Sequence, residues 1–258
     1  VYKVEQAAQV PISKLKKSIG TIDHKKQEIP AHINVQKIAR PQKKIINKQV
    51  KLNDCSTPQT KHEWSKTSKK IVLVGTSTGG PRALQEVITK IPANIQAPIL
   101  IVQHMPAGFT KSLATRLDQL SKIKVKEAEQ GDILQNGVAY IAPGGYHLKL
   151  RKVGVSFGIV LDQTEPPRSG HRPSVDVMFE EVSKYDDFDK IAVIMTGMGY
   201  DGSKGLIALK QTGNVMAIAE SADTCIVYGM PKAAVETQLV DEVADVDDIA
   251  QSIMKYML

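Results

Sequence analysis

Three side chains in this sequence are of the types that acyl transfer needs, and each follows a short apolar run. Ser77 lies in GTSTGG after IVLVG, His104 in QHMP after ILIV, and Asp201 in TGMGYDG after IAVIM. The spacing G-x-S-x-G between a strand and a helix puts a serine on a tight turn with its hydroxyl above a sheet. A histidine where a strand gives way to a loop is placed to act as general base, and a carboxylate on a third turn would orient its imidazole. The chain order Ser, His, Asp differs from the Ser, acid, His order of an ordinary α/β-hydrolase. That order has poor support here, since the last histidine, His171, is followed by 87 residues. Triads are defined by roles rather than by order.

Each motif has a rival reading. Gly75–Gly80 is also the kind of loop that cradles phosphate at a helix N-terminus, although it lacks the lysine of a P-loop and Arg82 follows a proline. GMGYDG matches the dinucleotide fingerprint G-x-G-x-x-G, with Glu220 ending the next apolar run about twenty residues on. Against it, Asp201 would set a carboxylate beside a pyrophosphate, and only 56 residues follow Gly202. A dinucleotide-binding module using this loop stays open as the alternative. His147 and His171 are the other histidines of the same region. The two cysteines, Cys55 and Cys225, are far apart, and no HExxH or Cys/His cluster is present, so neither a metal nor a cofactor is expected.

The elements that must position these residues begin at Ile71. Strand-length apolar runs (71–75, 98–103, 191–195, 215–219) alternate with helical patterns over 81–90, 109–120, 174–184, 203–211, 231–235 and 247–257, and 124–161 reads as several short strands. Near-continuous apolar strands between helices predict an α/β fold, a mainly parallel, doubly wound, Rossmann-like sheet with helices on both faces. Its active site is expected at the carboxyl ends of the strands.

Residues 1–70 differ in kind. They carry 16 Lys/Arg against 5 Asp/Glu, whereas 71–258 carry 18 against 22, so the net charge of +7 comes from the first quarter of the chain. Prolines interrupt that quarter and aromatics are few, which favours a basic, largely unstructured linker over a nucleic-acid arm. No run approaches the ~20 apolar residues of a spanning helix, so no membrane insertion is expected. The expected division is therefore 1–70 linker and 71–258 folded domain. The first residue, Val1, is not methionine, which suggests a piece of a longer protein.

From Ile71 onward the chain resembles the chemotaxis-receptor methylesterases, the CheB family. The resemblance rests on GTSTGGPRAL, QHMPAGFTKSLATRL, IAPGGYHL, HRPSVDVMF, IMTGMGYDG and VYGMPKAA in that order. It implies a cytoplasmic serine hydrolase that removes methyl esters from glutamates of methyl-accepting chemotaxis receptors, and that can also deamidate receptor glutamines. Ser77 would be the nucleophile, His104 the base acting through Nε2, and Asp201 its partner. The backbone around Met198, with Thr78 nearby, would help hold the oxyanion. The segment from Pro166 to Asp176 is a family hallmark without a separate catalytic step. The family also carries an N-terminal phospho-receiver domain, which 1–70 would follow. The AESADTC segment stands where the family commonly has Gln and acidic residues, so no binding role is carried over to Glu220 or Asp223.

Overall fold

A computed structural model of the chain describes Trp64 and residues 68–257. The expected linker therefore lies outside the described residues, apart from Trp64 and 68–70. Trp64 donates its indole N–H to the Tyr256 carbonyl at 2.7 Å and packs edge-on against the Tyr256 ring. The first strand, β1 (Lys70–Thr76), starts one residue before the expected boundary.

Among the described residues seven strands form one parallel sheet. Besides β1 they are β2 (Ile99–Gln103), β3 (Lys124–Glu127), β4 (Val138–Ile141), β7 (Asp189–Ile194), β8 (Val215–Glu220) and β9 (Glu242–Ala244), in the order β3-β4-β2-β1-β7-β8-β9. A separate antiparallel hairpin joins β5 (His147–Val153) to β6 (Ser156–Asp162). The short edge strand β9 was not expected from the sequence. With Glu242 at its start and Val243 exposed, it lacks the apolar run that marks a buried strand.

Alternation along the central strands divides the interior into two cores. Val72, Val74, Ile99 and Ile101 face one side, which is covered by α1 (Gly80–Ile88), α2 (Phe109–Leu120) and α6 (Ile249–Lys255). Ile71, Leu73, Leu100 and Val102 face the other, covered by α3 (Val175–Ser183), α4 (Ser203–Gln211), α5 (Met230–Glu236) and the hairpin. Period-2 side-chain geometry requires this split, since adjacent residues of a strand point to opposite faces. The helices supply matching stripes: Thr110, Leu113, Ala114 and Leu117 of α2 are buried at one-face spacing. The sheet is thus doubly wound, with helices on both faces.

The three central strands bring the candidate residues together. Thr76 pairs in register with Gln103, and Gly75 with Ile194, so β2, β1 and β7 end side by side. The turns after them carry His104, Ser77 and Asp201.

Candidate active site

Ser77 sits on the turn between β1 and α1. Its amide donates to the Thr196 carbonyl at 3.0 Å, and its carbonyl accepts from the Gly80 amide at 2.9 Å and from Gln103 Nε2 at 3.0 Å. The same Gln103 amide group reaches the His104 carbonyl at 3.0 Å, and its Oε1 accepts from the Thr76 hydroxyl. One buried glutamine therefore ties the serine turn to the histidine turn. From the third strand, Gly197 lies against the serine. A Cβ there would come within 2.8 Å of Ser77 Cβ and 2.3 Å of Met230 Sδ, so this position has room only for glycine.

His104 and Asp201, 97 positions apart, meet at 2.7 Å between Nε2 and Oδ2, with side chains only 5% and 3% exposed. Asp201 also accepts from the Ser174 hydroxyl at 2.9 Å, the Val175 amide at 2.7 Å and the Asp176 amide at 3.0 Å. Ser174 is the N-cap of α3, so the carboxylate rests on the positive end of that helix. Burial works against its charge. The His104 hydrogen bond and the amides outweigh burial and hold the Asp201 carboxyl down to about 2. Asp176 is pushed the other way, up to about 6, by burial and the neighbouring Asp201 charge. Its Oδ1 accepts from the amides of Gly202 and Gly205 at 2.8 and 2.7 Å.

Two sequence expectations change here. Nε2 of His104 was expected to take the serine proton. In the structure that nitrogen contacts Asp201 at 2.7 Å, and Nδ1 is buried without a partner among the described residues. Which nitrogen meets Asp201 depends on contacts between turns 97 positions apart, and spacing carries no trace of it. The dinucleotide reading of GMGYDG also loses its basis. The amides at the start of α4 that a pyrophosphate would need already serve Asp176, and Asp201 is turned inward.

Ser77 and His104 line one open cleft of about 360 Å³ together with Met105, Pro106 and residues 170–173. Thr78 is exposed beside the serine, and its carbonyl accepts from the Thr196 hydroxyl at 2.9 Å. Met198, 68% exposed, directly follows Gly197. Glu220 is buried and accepts the Thr196 amide at 2.7 Å, which makes it a brace for the turn that holds Ser77. It also borders a neighbouring cavity of about 330 Å³ with Gly79, Arg82, Asp223 and Ile226. His147 is fully buried, and its Nε2 lies 3.2 Å from the Pro166 carbonyl. Cys225 is half-buried, its thiol pushed up to about 12 by burial and by Glu220. That thiol is chemically quiet.

Sequence reasoning did not foresee His171, whose ring lies flat on that of His104 with centroids 3.8 Å apart and planes 3° apart. Only the hallmark run HRPSVD pointed there. Gln103 was likewise missed, although it stands next to His104 in QHMP.

Comparison with known proteins finds relatives along most of this chain. A protein-glutamate methylesterase/protein-glutamine glutaminase of Halalkalibacterium halodurans is 59% identical over 187 residues, covering 72% of this chain and 54% of that protein. The protein of the same name from Bacillus subtilis is 47% identical over 232 residues, covering 88% and 65%. The chain thus spans about half to two thirds of the length of these curated relatives. The crystal structure of the Thermotoga maritima CheB methylesterase catalytic domain superposes with a TM-score of 0.70 at 44% identity, covering 73% of this chain and 98% of that one. Residues 72–253 match the family described as CheB methylesterase, and the chain belongs to that family.

Proposed function

We propose that this chain hydrolyses γ-glutamyl methyl esters on the cytoplasmic helical bundle of methyl-accepting chemotaxis receptors, yielding glutamate and methanol, with Ser77, His104 and Asp201 as its triad. The observation that carries this reading is the 2.7 Å contact between His104 and Asp201, which leaves Nδ1 for the serine that lines the same cleft.

Ser77 Oγ attacks the γ-carbonyl carbon while Nδ1 of His104 takes the hydroxyl proton. Asp201 fixes the tautomer through Nε2–H and offsets the imidazolium charge. Backbone donors at Met198 and beside Thr78 take the oxyanion, at a typical ~3 kcal/mol per donor. Support for the Met198 donor is its place one residue after Gly197, which packs on Ser77. The tetrahedral species collapses as Nδ1–H protonates the departing methoxide. Water then attacks the acyl-enzyme, giving its proton to Nδ1, and Ser77 leaves reprotonated.

The printed names of the relatives include glutaminase, so the same acyl-enzyme is proposed to form from a receptor glutamine with ammonia as leaving group. We place the activity in the cytoplasm, downstream of a receiver domain in the same polypeptide. The family resemblance and the greater length of the relatives support this; among the described residues no helix is long and apolar enough to cross a membrane. The test is methanol release from methylated receptor membranes by this chain and by Ser77→Ala. The variant is expected to lose ~10⁶-fold in kcat with its fold intact. Full turnover by the variant overturns the triad.

A further inference from the structure

We infer that His171 is a positioning residue for His104, its ring setting the plane in which the base faces Ser77. This rests on the triad reading above. A single hydrogen bond to Asp201 fixes the direction of the His104 Nε2–H and leaves the ring free to turn about that bond. Flat contact at 3.8 Å and 3° removes that freedom and shields one face of the ring from water. Turning the ring would swing Nδ1 off the serine, so the stack acts on the proton transfer. Burial, followed by the charge of His104, depresses the His171 pKa, while Asp201 acts in the opposite sense. A neutral aromatic face against the His104 imidazolium is favourable, whereas two stacked cations would repel.

His171 is itself held firmly. Arg168 and His171 exchange backbone hydrogen bonds of 3.0 and 2.9 Å across Ser169 and Gly170, whose φ values of 51° and 83° are those of a type I′ turn. The Arg168 guanidinium pairs with Glu165 and Glu180. Arg172 donates to the Gln163 carbonyl at 2.9 Å and accepts from the Gly145 amide at 2.9 Å. Two residues further on, Ser174 begins the series of donors that hold Asp201. The run 171–176 thus orients the base by stacking and the acid by hydrogen bonding, which gives HRPSVD a job.

The experiment compares His171→Leu and His171→Phe with the parent chain and with Ser77→Ala, measuring kcat and KM for methanol release. Leucine keeps bulk without a flat face and is expected to lower kcat about tenfold or more. Its KM is expected to change less than kcat, because the stack acts through the base. Phenylalanine restores the plane and should bring kcat back to within about threefold of the parent, a recovery that a proton-transfer role for His171 would forbid. Thermal melts check folding, and His171→Met replaces the leucine variant if that one does not fold. Parental kcat in the non-aromatic variant, equal losses with Leu and Phe, or a loss confined to KM would each overturn the inference. If Ser77→Ala keeps its turnover, the triad reading itself falls. If it is silent while His171→Leu is at parental kcat, only the stacking role falls.

Discussion

Both ends of the central sheet bury charged side chains, and they treat them differently. At the carboxyl end Asp201 receives two amides and two side-chain donors, and Asp176 two amides. At the amino end of β7, Lys190 is fully buried and donates to the Phe188 carbonyl at a long 3.3 Å. Burial depresses its pKa, and Asp186, Asp189 and Asp187 only partly compensate. The cause is architectural. Parallel strands followed by helices bring helix N-termini, with their free amides, to one end of the sheet alone. A buried carboxylate beside an imidazole is stabilised there by helix amides, whereas Asp189 at the amino end takes side-chain donors from Ser68 and Asn214 instead.

Variants at the two ends should therefore separate cleanly. Asp201→Asn is expected to cost ~10⁴-fold in kcat, since an amide can neither hold the tautomer nor offset the imidazolium. Steady-state methanol release measures this, and a loss under tenfold would break the comparison. Gly197→Ala forces a methyl against Ser77 and Met230; a displaced nucleophile should lower kcat ~10²-fold.

Asp176→Asn probes the charge itself. The folded-state pKa of about 6 lies above the ordinary 3.8, so the parent loses stability as pH rises through that window. An asparagine has no such loss. Relative to the parent, the variant should gain stability in urea melts between about pH 4 and 6 and hold that gain above. A constant difference across that range would contradict it.

Lys190→Met should have the smallest effect. Turnover is expected at the parental level, with Tm raised by up to ~4 °C at pH 7. Because the lysine pKa is lowered in the fold, the parent recovers stability as pH rises toward 10.5, and the gain should shrink there. Lost turnover in this variant would mean that the amino end takes part in the chemistry after all.

Much of this arrangement is legible in the sequence because the central strands are buried on both faces and read as unbroken apolar runs. IVLVG, ILIV and IAVI mark β1, β2 and β7, and the residue after each run locates a turn. What stays hidden depends on contacts between distant turns. His171 meets His104 through a contact between turns 67 positions apart in the sequence. The choice of Nδ1 over Nε2 depends on which side of the imidazole β7 approaches. The brace from Glu220 to Thr196 crosses from β8 to β7, and the edge strand β9 carries too little apolar character to declare itself.

The side-by-side endings of β2, β1 and β7 bear on how this protein can be inactivated. Middle strands are paired on both sides, so the interior amides of β1, β2 and β7 are expected to exchange with deuterium more slowly than those of the edge. Glu242–Ala244, at the edge, can exchange by local opening. Heating should extinguish turnover and secondary structure together, as one event.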